Sequence, residues 1–147
     1  MCTPSLAIDA VMEVESNDKD VHIVLVRRKD APRDKHAIVG GFVEVGEAVE
    51  DAVWREVKEE TNLDVTDLQL FDIYSDPQRD ARRHTVSVVY RGLIKDTSGM
   101  KVGDDAKRVE VIRLRDAMTL LDLAFDHKQI LTDYIKTYHP ELWGEIR

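Results

Sequence analysis

The residues of this chain best suited to chemistry are three glutamates near the end of one helix-forming segment. Glu47 to Glu60 opens with Glu47, Glu50 and Asp51 and is followed by Thr61-Asn62. Acidic residues suit the positive end of a helix dipole, and asparagine tolerates the left-handed cap at the other end. On a wheel of about 100° per residue, Val49, Ala52 and Val53 mark the buried face. Glu56 and Glu60 fall in the same arc, with Glu59 beside them. An ordinary amphipathic helix places apolar residues there. Half-burying carboxylates is costly unless a cation or hydrogen bonds compensate, and the carboxyl end of a helix disfavours negative charge. Lys58 points to another face, whereas Arg55 stands four residues before Glu59, a spacing that allows an ion pair. Glu56 and Glu60 are also four apart and repel each other. A hard divalent cation between them reverses that repulsion. One or two carboxylates with water and substrate phosphate describe a Mg²⁺ site. A merely solvated acidic face is the competing account, and the wheel position and the dipole both argue against it. Neither argument alone names an enzyme.

The elements that must position these groups read as strands around that helix. With 147 residues, 43% of them hydrophobic, the chain fits a single domain spanning residues 1–147 with one core. Leu6–Val14 and Val21–Arg27 are rich in Val and Ile, with Ser16–Asp20 as the turn between them. Asp30–Lys35 is a polar loop. Ala37–Val39 is a short apolar run into Gly40-Gly41, and Phe42–Val45 is a further short strand. Strands follow near Val65–Tyr74, Thr85–Ile94 and Arg108–Leu114. A last helix runs from about Asp126 to Tyr138, with Ile130, Leu131, Tyr134, Ile135 and Tyr138 as its apolar stripe. The mix predicts an α/β fold, a mixed sheet covered by helices on its faces. Ser5–Val14 is broken by Asp9 and Glu13 and lacks a basic leader, so it reads as a strand and not as a signal peptide, and no run is long enough to span a membrane. A cytoplasmic location is expected. Cys2 is the single cysteine and has no internal partner for a disulfide. The formal net charge of −8 disfavours a nucleic-acid polymer as partner and leaves a small phosphate compound open, provided cations or a basic patch offset the repulsion.

The segment Gly41–Leu63, GFVEVGEAVEDAVWREVKEETNL, resembles the Nudix box, G-x5-E-x7-R-E-U-x-E-E-x-G-U with U a bulky aliphatic residue. Gly41, Glu47, Arg55, Glu56, Val57, Glu59, Glu60 and Leu63 match in register, and Asn62 stands where the family usually has Gly. The resemblance implies a Nudix-type α/β/α sandwich with a loop–helix–loop catalytic box. It implies Glu56 and Glu60 as the main metal ligands, Glu59 sharing or bridging, and the Gly41 carbonyl contributing. Arg55 would hold Glu59, and Glu47 would act through water or brace the loop. The implied cofactor is Mg²⁺, with Mn²⁺ as a substitute, and the implied reaction is attack of water on one phosphorus of a diphosphate bridge.

Tyr74–Tyr90, YSDPQRDARRHTVSVVY, holds Arg79, Arg82, Arg83 and His84, the densest basic stretch in an acidic chain. Guanidinium groups bind phosphate through paired hydrogen bonds. Its pattern, with Pro77, is similar to the segment after the box in ADP-ribose pyrophosphatase-type members, as are VGDDAKRVEVIRL and LAFDHKQIL. Arg27 and Arg28 end the second strand, and alternation sends one to each face, one toward a phosphate and the other toward solvent. Arg27 joins Arg79, Arg82 and His84 as the expected substrate-binding set. Relatives often carry glutamate where this chain has Arg108, so the later-chain base is open among Asp104, Asp105 and Glu110, with Glu59 or Glu56 of the box as the alternative. His127 reads as a core-edge or capping residue, and Tyr74 or Phe42 are the aromatics available to stack on an adenine. The expected activity is hydrolysis of ADP-ribose to AMP and ribose 5-phosphate. The alternatives are a house-cleaning pyrophosphatase for oxidised nucleoside triphosphates, other nucleotide sugars or NADH, and a non-catalytic nucleotide sensor. The end of the chain soon after the last helix leaves no room for an appended DNA-binding domain, and the resemblance implies a homodimer.

Overall fold

A computed structural model describes residues 2–101 and 107–147. Six strands form one sheet: β1 (Ser5–Val14), β2 (His22–Arg28), β3 (His36–Phe42), β4 (Val65–Tyr74), β5 (Thr85–Ile94) and β6 (Lys107–Arg113). Their order is β4-β5-β1-β3-β2-β6. β1 runs parallel to β5 over its whole length, and the other pairings are antiparallel, so the sheet is mixed as expected. Four helices cover it: α1 (Val49–Thr61), α2 (Leu114–Leu120), α3 (His127–Tyr138) and α4 (Pro140–Ile146).

Alternation along the strands splits the core in two. Ile8, Ala10, Met12, Val24 and Val26 face α1, which contributes Ala52, Val53 and Val57. Val11, Ile23 and Leu25 face the other way, against Leu114, Ala117 and Met118 of α2 and Ile130, Leu131, Tyr134 and Ile135 of α3. The result is the expected sandwich, a helix on one face and three on the other. Among the described residues no helix is long and apolar enough to cross a membrane.

Three expectations need correction. Phe42–Val45 is not a strand of its own. β3 continues through Gly40 and Gly41 to Phe42, because those glycines pair with Asp9 and Ile8 of β1. The box helix begins at Val49, two residues after Glu47, which lies in the preceding loop. The helices α2 and α4 were absent from the sequence reading. Each has only seven residues, two turns, too few for the helical period to stand out.

Candidate active site

The loop between β3 and α1 is fastened from within the helix. Ala48, the N-cap, makes no side-chain cap bond. Arg55 reaches back instead, donating from Nε to Glu47 Oε2 at 2.7 Å and from Nη2 to Glu47 Oε1 at 3.0 Å and the Phe42 carbonyl at 3.0 Å. Its Nη1 donates to Glu56 Oε1 at 2.9 Å and Glu59 Oε2 at 3.2 Å. Arg55 therefore holds Glu59 as expected, and it holds Glu47 and Glu56 more closely. Glu47 braces the loop, accepting the Glu44 N–H at 3.1 Å as well. The hydrogen bond from Arg55 keeps the Glu47 carboxyl below its usual range, and the same bond raises the Arg55 guanidinium pKa further. At the far end, Asn62 takes φ 60°, the left-handed cap anticipated for it.

Glu56 and Glu60 line a cavity of about 320 Å³ together with Gly40 and Gly41. A methyl group on Gly41 would overlap the Glu56 carboxyl, so only glycine lets this carboxylate lie against the strand backbone. One Glu60 oxygen is buried. Glu59 is 59% exposed, on Arg55 and outside the cavity lining. Among the described residues no three Asp, Glu, His or Cys side chains converge as a metal cluster. Two carboxylates and a glycine carbonyl, all oxygen donors, still suit Mg²⁺, which retains water and is completed by substrate phosphate.

Asp9 forms part of the same lining, a position the sequence reading used only to break an apolar run. Its Oδ2 accepts the Ser87 hydroxyl at 2.5 Å, and its Oδ1 lies 3.6 Å from His127 Nε2. His127 Nδ1 accepts the Ile38 N–H at 2.9 Å, which leaves the ring proton on Nε2, toward Asp9. Burial pushes the Asp9 carboxyl up to about 7. Burial, reinforced by the Arg79 and Arg28 charges, pushes His127 down to about 3. His127 is thus neutral near pH 7, and its approach to Asp9 is no ion pair. It is buried at the start of α3, where a core-edge or capping residue was expected, and it lines the cavity. A carboxylate flanked by apolar residues in the middle of β1 was the signal that could have singled out Asp9.

A third wall is basic. Arg79, whose side chain is 4% exposed, is locked to Asp126 by bonds of 2.6 and 2.9 Å. Arg82 pairs with Asp80 through Nη2 at 2.9 Å and Nε at 3.1 Å. Both line the cavity, as do Phe42, Phe125 and Arg28. Arg27 does not. It is exposed, and strand alternation turns Arg28 inward on the α1 side with Val24 and Val26. His84 is also exposed and outside the lining, its Nε2 hydrogen-bonded to the Ser75 carbonyl at 3.0 Å. Of the candidate bases, Glu110 pairs with His36 at 3.2 Å and does not line the cavity, and Asp104 and Asp105 lie outside the described residues. Tyr74 is occupied by Asp133 at 2.7 Å. Phe125 has φ 54°, a left-handed value uncommon for a bulky residue and costing about 1 kcal/mol or more.

Residues 4–134 match the NUDIX domain family. A protein of Methanocaldococcus jannaschii named ADP-ribose pyrophosphatase is 44% identical over 136 residues, covering 90% of this chain and 74% of that protein. The ADPR responsive transcriptional repressor NtrR of Acinetobacter baylyi is 28% identical, over 88% of this chain and 52% of its own. Among solved structures, the Nudix domain of Shewanella oneidensis NrtR complexed with ADP ribose superposes with a TM-score of 0.82 at 25% identity, covering 93% of this chain and 90% of that one.

Proposed function

Because the chain belongs to the Nudix family, we propose that it hydrolyses ADP-ribose to AMP and ribose 5-phosphate, with Mg²⁺ as cofactor and Mn²⁺ able to replace it. The observation that carries this reading is one cavity walled by Glu56 and Glu60 on one side and by Arg28, Arg79 and Arg82 on another. Such a cavity suits a cation and a diphosphate together. The 44% identity to the Methanocaldococcus jannaschii ADP-ribose pyrophosphatase supports the substrate.

In this proposal Glu56, Glu60 and the Gly41 carbonyl hold the metal. When bound, the metal neutralises charge on the phosphate oxygens and lowers the pKa of water. Arg55 keeps Glu56 aimed at the cavity. Water adds to one phosphorus, the bridging P–O bond breaks, and the bridging oxygen leaves on the other phosphate. Of the two box carboxylates expected as base, Glu56 lines the cavity and Glu59 does not, so Glu56 takes the proton of the water. The arginine wall meets the charge that builds on the phosphates.

Chromatography of ADP-ribose incubated with Mg²⁺ and the purified chain should show AMP. Its absence at micromolar enzyme would end the reading. A sensor is the second reading, because the Acinetobacter baylyi relative is named a repressor responsive to ADPR. Tight binding of ADP-ribose without turnover would put it first. We also propose a homodimer in the cytoplasm. Leu70 and Ile73 are 57% and 55% exposed on the edge strand β4, an apolar edge that invites a partner. Sedimentation at the mass of one chain would contradict the dimer, and recovery in a membrane fraction would contradict the location.

A further inference from the structure

β3 passes beside the proposed metal ligands on its two least restrained residues. Gly40 and Gly41 have no side chain to pack and more backbone freedom than any other residue type, so a strand that runs through them has to be held from outside. Both line the cavity, and the Gly41 carbonyl is one of the three donors proposed for the metal. One hold comes from the helix: the Glu56 carboxyl lies where a Gly41 side chain would be. The other comes from the opposite face of the sheet. Asp9 stands across from Gly40 in the β1–β3 register, and its Oδ1 lies where a Gly40 side chain would be. Ile8, Ala10 and Met12 of β1 face α1, so alternation turns Asp9 toward α3. The Gly40–Gly41 segment is therefore gripped between two carboxyl groups, Asp9 on the α3 side and Glu56 on the α1 side.

Each grip is braced in turn. Arg55 donates to Glu56 at 2.9 Å. Asp9 is restrained at both oxygens. The fully buried Ser87 of β5 donates its hydroxyl to Oδ2 at 2.5 Å, and His127 Nε2 stands 3.6 Å from Oδ1. His127 accepts the Ile38 N–H at 2.9 Å, two residues before Gly40. The contacts thus form a closed circuit: they leave β3 at Ile38, pass through His127 and Asp9, and return to β3 at Gly40. Burying a carboxyl is costly, and an apolar residue at this point of β1 would avoid that cost. An apolar side chain could not take the Ser87 hydrogen bond that fixes the flat end of Asp9 against the glycine backbone.

We propose that Asp9 is a positioning residue of the metal site: braced by Ser87 and His127, it bears on Gly40 from the α3 side and so fixes where the Gly41 carbonyl stands relative to Glu56 and Glu60. It acts through the strand and is not itself a metal ligand. The link to the metal rests on the reading that Gly41, Glu56 and Glu60 hold it.

The test takes two readouts on the full chain, neither of them activity. One is amide hydrogen exchange at Gly41, followed by NMR without metal. The other is Mn²⁺ affinity, from the paramagnetic resonance signal of the free ion without substrate. Asp9→Ala should speed exchange at Gly41 by about tenfold and weaken Mn²⁺ by about tenfold, as loss of the support behind a metal ligand does. Asp9→Asn keeps the shape and an acceptor for Ser87, so both readouts should stay within about twofold of the wild type. Ser87→Ala leaves Asp9 in place without its donor and should move both readouts the same way by about threefold. Val11→Ala, on the same face of β1, should lower the urea midpoint and leave Mn²⁺ affinity unchanged. Wild-type exchange and Mn²⁺ affinity in Asp9→Ala would overturn the proposal, and should that variant not fold, Ser87→Ala decides on the same two readouts. Equal losses in Asp9→Asn and Asp9→Ala would mean that Asp9 acts by its charge, and overturn the positioning role. A loss of Mn²⁺ affinity in Val11→Ala as large as in Asp9→Ala would reduce the effect to a loosened β1 and overturn it too. Faster exchange at Gly41 with unchanged Mn²⁺ affinity would overturn the link to the metal. If exchange rises in Asp9→Ala while the wild type binds no Mn²⁺, the grip on β3 stands and the proposed metal site falls.

Discussion

The acidic and basic walls of the cavity are built in opposite ways. Glu56 and Glu60 come from one helix, one turn apart, and Arg55 of that helix aims the nearer of them. Arg28, Arg79 and Arg82 come from β2 and from the loop before β5, and the aspartates that hold the last two come from that loop and from the start of α3. The acidic wall is a local object whose geometry follows from helical spacing. The basic wall exists only once the sheet has formed and the α2–α3 loop has docked on β3. Changes in the first should strike chemistry and spare the fold, whereas changes in the second should disturb binding and stability together.

Glu60→Gln is the sharpest break. It removes a proposed metal ligand while keeping size and hydrogen-bonding capacity, so kcat should fall about a hundredfold or more with thermal unfolding little changed. Steady-state kinetics beside a melting curve would show this, and near wild-type turnover would contradict the assignment. On the basic wall, Asp126→Asn leaves the buried Arg79 with a neutral partner. Urea unfolding should show a loss of about 2 kcal/mol, below the full cost of breaking a buried pair because the amide retains one acceptor. An unchanged midpoint would mean that Arg79 is not anchored by charge.

Arg55→Ala should cost about tenfold in kcat, since Glu47, Glu56 and the Phe42 carbonyl all lose their common donor and the box loop loosens. A loss confined to KM would show that Arg55 serves binding and not alignment.

A pH series separates Asp9 from His127. The folded pKa of Asp9, about 7, lies above the ordinary 3.8, so the folded chain keeps a proton that the unfolded chain releases. Its contribution to stability is complete below pH 3.8 and declines as pH rises to 7. His127, lowered from 6.5 to about 3, works the other way: its contribution is present above 6.5 and is lost as pH falls toward 3. Between pH 4 and 6.5 the two oppose each other. Asp9→Asn should therefore gain stability relative to the wild type as pH rises through that window, by up to about 1.4 kcal/mol per pH unit. Denaturation in EDTA at several pH values would measure it, and a constant difference would show that Asp9 is ionised throughout.

The same contrast explains what could be read in advance. Glu56, Glu60, the Asn62 cap and the Arg55–Glu59 pair depend on spacings of a few residues, and the helix enforces those spacings wherever it sits. The strands β1, β2, β4, β5 and β6 were legible within a residue or two, because each carries Val, Ile or Leu at close intervals along its length. The reading went wrong where meaning came from partners distant in sequence. Gly40 and Gly41 look like a break between strands until β1 is laid beside them. Arg27 and Arg28 are equivalent as a dipeptide, and only the facing of β2 separates them. The arginine-rich stretch was visible as charge, but Asp80 and Asp126, which hold Arg79 and Arg82 in place, are scattered acids until the loop is docked. Asp104 and Asp105 stay where the sequence left them, outside the described residues.

The two adjacent glycines of β3 also bear on how such a site drifts through sequence space. A single methyl at Gly40 would overlap the Asp9 carboxyl and the Ile8 carbonyl, and one at Gly41 would overlap Glu56. Alanine, the mildest substitution available to a glycine codon, is already a collision at both positions. A lineage can leave Gly40 only after Asp9 has become something shorter and the local backbone has given way. At Gly41 the overlap is only with the movable end of the Glu56 side chain, so that carboxylate must swing away from the strand. Gly40 should therefore be the stricter of the two, because the Ile8 carbonyl stays in place even when Asp9 is trimmed, and a saturation library of the chain should show glycine alone folding there, with Gly41 variants that fold and lose activity.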